Sequence, residues 1–263
     1  LQKKGEKVVV VVSAMGDSTD FLVELANEVS AHSPDPREYD ALVSTGENVS
    51  AALLSMAIID KGGKAISLTG PQAGVRTEAV HAKAKIEEIA PTRVHDELER
   101  GKAVIITGFQ GLTEHNDVAT IGRGGSDTSA VAMAAALGAD SCEIYTDVDG
   151  IYTTDPRLVK DASKLSEISY DEMLELASLG AKVLHPRAVE FAKERGVALH
   201  VRSSFDTIEG TYVKEVSEME SNRAVTGVAL KKDEAKLSIV KVPDVPNIAG
   251  KIFGDLAKGH INI

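Results

Sequence analysis

The chain has 263 residues, 43% of them hydrophobic, enough for one large or two medium domains with a real core. Its formal net charge of -11 argues against nucleic acid or an anionic membrane as partner, because the nonspecific term is repulsive, and the single cysteine, Cys142, excludes a disulfide framework and reads as a buried reduced thiol. The apolar run at 8–12 is far too short to cross a bilayer and is flanked by neither signal nor transit composition, so a cytoplasmic soluble protein is expected.

The sequence starts at Leu1 rather than Met and stops inside an apolar strand pattern at Ile261-Asn262-Ile263, and it reads as part of something longer. Val8-Val9-Val10-Val11-Val12 reads as a strand buried on both faces, the mark of a parallel sheet. Ser13-Ala14-Met15-Gly16-Asp17-Ser18-Thr19 makes the following turn and cap, and a helix is expected over 20–30 with Phe21, Leu22, Leu25 and Val29 facing inward. After Ser33-Pro34-Asp35-Pro36 a long helix spans 37–61, interrupted by the polar run Ser44-Thr45-Gly46-Glu47-Asn48 and ended by Gly62-Gly63. A strand at 64–69, a short helix at 92–100 and a buried strand at 103–107 follow.

Beyond the glycine loop that starts at 122 come a helix to 137, a strand at 141–146, helices at 171–179 and 186–195, and a strand at 197–202. Strands alternating with helices predict an α/β fold with a mainly parallel sheet, whose ligands gather at the carboxyl ends of the strands. Small or polar residues stand at several of those ends: Ser13-Ala14, Thr69-Gly70, Gly108-Phe109-Gln110-Gly111 and Thr146-Asp147-Val148-Asp149-Gly150. Past Glu209-Gly210 the stretch 214–222 is charged and weakly patterned, a linker by composition. A strand at 235–242, an amphipathic helix at 247–258 and the start of another strand then open a second, small domain.

Gly122-Arg123-Gly124-Gly125-Ser126-Asp127 leads directly into an apolar helix. Glycines that let the backbone approach a ligand, the free amides of a first helical turn and one guanidinium describe an anion site. It is neither a dinucleotide fingerprint, whose third glycine would stand at Asp127, nor a P-loop, since no Gly-Lys-Ser/Thr closes one. The plain alternative is a strand-to-helix turn with Asp127 as its cap. Asp147-Val148-Asp149-Gly150 has the letters of a calcium loop without its distant glutamate.

These stretches, with Leu179-Gly180-Ala181-Lys182-Val183-Leu184-His185-Pro186 and Ile151-Tyr152-Thr153-Thr154-Asp155-Pro156-Arg157, occur in the same order in aspartate kinases, and the chain resembles that family over essentially its whole length. The resemblance implies the three-layer α/β/α amino-acid kinase fold over 1–222, with its first strand missing, and a partial ACT regulatory domain over 223–263. It implies transfer of phosphate from ATP, with Mg2+, to the side-chain carboxylate of L-aspartate, the first step toward lysine, threonine and methionine. Feedback by lysine or threonine and a homodimer or higher oligomer built through ACT domains are implied with it.

The same resemblance assigns roles. Arg123 takes the aspartate α-carboxylate, with Gly124, Gly125 and Ser126 beside it; Glu47 takes the ammonium, and Ser18 and Thr19 line the acceptor pocket. Asp127 orients the groups around the transferring phosphoryl. Ser13, Thr146, Asp147, Tyr152, Asp155, Pro156, Arg157 and Lys182 contact ATP. Asp244, Asn247 and Ile248, in the Pro-Asp-x-Pro turn, meet the effector, with Asn247 where a glycine is usual; Asn tolerates the turn angles. Against these stand plainer readings: Glu47 as a surface carboxylate, Ser18 or Thr19 as a helix N-cap, Arg123 capping a neighbouring helix, and His185 as structural. Lys160, Lys164 and Lys193 read as surface lysines.

The family's first strand, ending in Lys-Phe-Gly-Gly, has no counterpart in this sequence, and residues 1–5 correspond to the end of the helix after it. Another carboxylate or nucleotide kinase of the same fold, such as an acetylglutamate or uridylate kinase, and an amino-acid-binding or assembly module without catalysis are the competing readings.

Overall fold

In chain order the first elements are β1 (Val9–Val12), α1 (Ser18–Val29), α2 (Pro36–Val43), α3 (Thr45–Asp60), β2 (Ala65–Leu68), β3 (Val75–Thr77) and β4 (Ile86–Ile89). Next come α4 (Thr92–Glu99), β5 (Ala103–Thr107), β6 (Gln110–Leu112), β7 (Val118–Thr120), α5 (Gly125–Leu137) and β8 (Cys142–Thr146). β9 (Glu167–Ser169), α6 (Tyr170–Ser178), α7 (Pro186–Arg195), β10 (Leu199–Ser203) and β11 (Thr211–Lys214) follow. The computed structural model describes residues 1–30, 32–181, 183–215, 225–230, 247, 248, 250, 251, 253 and 254. The chain divides into two compact units, Leu1–Leu230 and Lys231–Ile263.

The first sheet has the order β1-β5-β2, all parallel. Alternation along β5 decides what each face meets. Ala103 and Ile105 pack with Ala51, Leu54 and Ile58 of α3. Val104 and Ile106 pack with Val94 and Leu98 of α4 and Met133 and Leu137 of α5. Helix, sheet and helix therefore form three layers, as the sequence predicts. Ile105 and Ile106 are at most 1% exposed, and each contributes about 1.5–3 kcal/mol by burial.

The central strand is β5, buried throughout, whereas all four residues of β1 are half-buried. The expectation that the valine run is buried on both faces is thus corrected: among the described residues β1 pairs with β5 alone and stands at the edge of this sheet. The predicted inward stripe of α1 is corrected too. Phe21 is 58% and Val29 85% exposed, while Ala26 is buried and Leu22 half-buried. Contact with α3 selects that side, because Gly46 brings α3 so near that a Cβ there would stand 2.9 Å from Ala14 and 3.6 Å from Leu22.

The long helix expected over 37–61 is two, α2 and α3, meeting at Ser44. Asp35 caps the first, accepting from the N–H groups of Arg37 and Glu38 at 3.0 and 3.2 Å. The run Pro36–Asp60 is long and apolar enough to cross a bilayer by length and composition. It nevertheless buries Asp40 and Glu47 inside the fold and lays α3 on the sheet, as a core helix does.

The second sheet, β8-β10-β11-β9, is mixed: β8 and β10 are parallel, β11 runs antiparallel to β10, and β9 is parallel to β11. Its inner face, with Ile144, Leu199, Val201 and Val213, packs on Met173 and Leu176 of α6 and on Ala188, Val189 and Ala192 of α7. Val131 of α5 belongs to this core and Met133 to the first. A helix shared by two cores must be apolar nearly all round, which explains Val131-Ala132-Met133-Ala134-Ala135-Ala136-Leu137.

A third sheet, β4-β3-β6-β7, was not expected, nor were β9 and β11. These strands are three or four residues long, too short to show a period, and β4 carries Glu87 and Glu88. Within the second unit Asn247 has φ 65°, the left-handed turn angle expected of an asparagine there. The linker at 216–222 and the strand at 235–242 lie outside the described residues.

Candidate active site

The paired register Val12 with Thr107 brings β1 and β5 to an end at the same level, and the N–H of Gly108 donates to Val12 O at 2.9 Å. Ligands of open parallel sheets bind beyond such ends. Glu47, on the first turn of α3, reaches into this edge: its Oε1 accepts from Ala14 N at 3.2 Å. The residue is 4% exposed and its Oε2 is buried without a hydrogen-bond partner among the described residues. Burial pushes its carboxyl above the usual range, and N–H bonds from its own backbone and Ala14 pull the other way. A surface carboxylate is therefore excluded. Ser18 and Thr19 open α1 next to this edge; the N-cap position belongs to Asp17, with no side-chain cap bond, and Ser18 Oγ donates to Met15 O at 2.5 Å.

The glycine loop starts α5. Its N-cap is Gly124, at φ 70° and without a side-chain cap bond, so Asp127 on the third helical residue is not the cap. Only glycine fits at 124, since a Cβ would lie 2.2 Å from the His185 ring. Asp127 is half-buried; burial raises its pKa, while the backbone N–H and ring of His185 lower it. Burial, with the charges of Arg187 and Arg123, holds the His185 pKa below that of a free imidazole, although Asp127 raises it. Ser126 sits against Gly108 at the end of β5. Ser129 Oγ accepts from Phe109 N at 3.2 Å and donates to Gly125 O at 2.7 Å, locking the loop to a strand end where Phe109 itself is at φ 67°. A non-glycine residue held at that angle stores strain of the sort found at functional sites. Arg123 is exposed and pairs with no carboxylate among the described residues.

The structure thus gathers Arg123, Gly124, Gly125, Ser126 and Asp127 at one helix start, and Glu47, Ser13, Ser18 and Thr19 at the neighbouring strand end. Of the residues assigned to ATP, Thr146 ends β8 and Asp147, Tyr152, Asp155, Pro156 and Arg157 follow it, whereas Ser13 follows β1. Thr146 Oγ1 donates to Asp147 Oδ1 at 3.0 Å, and Tyr152 OH donates to Asp149 at 3.1 Å. Arg157 meets Asp155 through two N–H groups, at 3.0 and 2.9 Å, with Pro156 between them. Lys164 is not an unexceptional surface lysine: it is bound to Asp149 Oδ2 at 3.4 Å and to Glu209 O at 2.8 Å. Lys193 does lie on the surface, paired with Asp171. Lys182 and Asp244 lie outside the described residues, and Asn247 and Ile248 belong to the second unit.

Sequence reasoning missed four residues that build this region. Asp40, fully buried, accepts from Thr120 Oγ1 at 2.5 Å and from Ala82 N at 3.0 Å, and its Oδ2 lies 2.8 Å from His81 Nδ1. Gln110 donates from its side chain to Ser44 O at 2.8 Å, tying the polar run of α3 to the sheet. Thr107 Oγ1 accepts from Gly70 N at 2.8 Å. Arg187 donates to Ile121 O at 2.6 Å, just ahead of the glycine loop. The partners of all four are distant in sequence, so spacing carries no signal for them.

With this fold and this loop, the chain belongs to the amino acid kinase family, whose model matches residues 1–203. It is 56% identical over 262 residues to aspartokinase 2 of Bacillus subtilis, covering 100% of this chain and 64% of that protein. Among solved structures it is similar to aspartate kinase from Synechocystis, with a TM-score of 0.71 and 46% identity over 98% of this chain and 44% of that one. E. coli aspartokinase III in complex with aspartate and ADP gives a TM-score of 0.73 at 31% identity, covering 94% of this chain and 57% of that one. The same enzyme with lysine and aspartate gives 0.72 at 31% identity, over 92% and 56%. The chain spans 64% of the length of the curated relatives it matches.

Proposed function

We propose that the protein containing this chain transfers the γ-phosphoryl group of ATP to the side-chain carboxylate of L-aspartate. A carboxylate oxygen attacks the γ-phosphorus, the bond to the bridging oxygen breaks, and ADP and 4-phospho-L-aspartate leave. The observation that carries this reading is Glu47, a buried carboxylate with one unpartnered oxygen at the carboxyl edge of the parallel sheet. A cationic ligand group answers such an oxygen, and an amino-acid ammonium has the right charge and donors. Arg123, exposed on the glycine loop, supplies the fork for the α-carboxylate.

Asp127 stands between acceptor and phosphoryl, and Ser13, Thr146, Asp147, Tyr152, Asp155, Pro156, Arg157 and Lys182 serve the nucleotide. Mg2+ would arrive with ATP, held mostly by its phosphates, and no protein ligand is assigned to it. The reaction is the entry to lysine, threonine and methionine synthesis. Residues 223–263 form the start of an ACT regulatory domain that takes lysine, threonine or both near Asp244, Asn247 and Ile248. That domain joins two chains into a dimer or larger assembly, and the protein works in the cytoplasm. Its relatives' complexes with aspartate, ADP and lysine support this reading.

An ATP-coupled assay of the intact protein with aspartate, N-acetylglutamate and UMP tests it. Aspartate is expected to be preferred by roughly a hundredfold or more, because the site pairs the ammonium that N-acetylglutamate lacks. Preference for either other acceptor, or ATP turnover with none, overturns it.

A further inference from the structure

The guanidinium of Arg187, half-buried at the start of α7, has no carboxylate partner among the described residues. Its donors go to two backbone carbonyls instead: Nη1 to Ile121 O at 2.6 Å and Nη2 to Ala84 O at 3.4 Å. Ile121 is the residue before the glycine loop, and Nη1 would lie 3.8 Å from a Cβ on Gly122. The segment around Ala84 is fixed from the other side. Ala84 N donates to Thr120 O at 2.9 Å, and Ala82, at φ 66°, donates to Asp40. Arg187's own N–H donates to Nδ1 of His185, whose ring packs against Gly124.

We propose that Arg187 is the positioning residue of the acceptor loop, setting the path of residues 121–125 and with it the direction of Arg123. This rests on the assignment of that loop to the amino-acid acceptor. Fork geometry is what the role needs, since one planar group must reach two carbonyls from elements 66 and 103 residues away in sequence. The charge has no carboxylate partner among the described residues, so it also adds positive potential beside a loop where an acceptor with two carboxylates has to dock.

The test compares Arg187→Met and Arg187→Lys with the unaltered intact protein, by steady-state kinetics and by hydrogen exchange of the amides over 119–125 without substrate. In Arg187→Met the aspartate KM is expected to rise roughly tenfold to a hundredfold, the cost of misplacing a positioning group, with the ATP KM within about twofold. Amides over 119–125 should exchange faster while those of β5 stay protected. Arg187→Lys, reaching one carbonyl at a time, should fall between the two in both measurements. Unchanged exchange over 119–125 in Arg187→Met overturns the positioning role whatever the kinetics, as does an equal rise in both KM values. An unaltered protein that phosphorylates no aspartate, yet loses protection over 119–125 in Arg187→Met, defeats the acceptor assignment and leaves the loop-ordering role supported.

Discussion

Glu47 accepts a hydrogen bond from the backbone N–H of Ala14 at 3.2 Å, joining the first turn of α3 to the end of β1 through one oxygen and leaving the other buried and unpartnered. Because burial raises its pKa, the folded protein takes up this proton more readily than the unfolded chain. The stabilising contribution is full below the ordinary carboxylate range and fades as pH rises through the raised folded value. Glu47→Gln removes the charge that is costly near neutral pH. The ligand-free variant should therefore melt at the same temperature or a few degrees higher at pH 7–8, at about 2–4 °C per kcal/mol for a chain of this size. Its aspartate KM should rise by roughly a hundredfold. Calorimetry and the coupled assay read the two effects, and a variant that melts lower while binding aspartate normally refutes the assignment.

Arg123 and Lys182 should separate the two substrates. Arg123→Ala is expected to raise the aspartate KM by roughly a hundredfold and leave that of ATP nearly unchanged, as loss of a charged hydrogen-bond donor does. Lys182→Ala should do the reverse. Equal effects of either change on both KM values would defeat the division of the site.

Asp40 has no assigned chemistry, so its substitution should act on stability. Asp40→Ala leaves Thr120, Ala82 and His81 without their common acceptor, at a cost of about 3–5 kcal/mol. Asp40→Asn keeps the shape and one acceptor oxygen and should cost about 1–3 kcal/mol. Urea denaturation of the two variants gives these values, and equal midpoints for both and the unaltered protein would refute the hub.

Cys142 is buried, and burial, with the charges of Asp127 and Glu143, pushes its thiol up to about 11. At pH 8 only about one molecule in a thousand then carries the thiolate that reacts. A disulfide reagent such as DTNB should modify the native protein slowly and the urea-unfolded protein within the mixing time. Fast native labelling would show that the strand β8 opens.

The sequence by itself determined the alternation of strands and helices, the buried β5, the glycine loop ahead of α5 and the order of the motifs that resemble aspartate kinases. All of these are local, because side-chain period, turn chemistry and helix starts are written within a few residues. The tolerance of asparagine for unusual turn angles is also a property of the residue type, and Asn247 adopts φ 65°.

Only the tertiary structure decided which faces count. Phe21, Leu25 and Val29 lie on an apolar stripe that reads as core, yet they are exposed, and the approach of α3 at Gly46 turns inward Leu22, as expected, together with Ala26. Glu47 keeps a surface reading open in the sequence until its hydrogen bond from Ala14 N, beyond the end of β1, buries it. Asp40, Gln110 and Arg187 gain their roles from partners 41 to 103 residues away. Such groups are silent in a sequence because a buried hydrogen bond is set by where the chain returns, and that follows from packing whole layers rather than from any local preference.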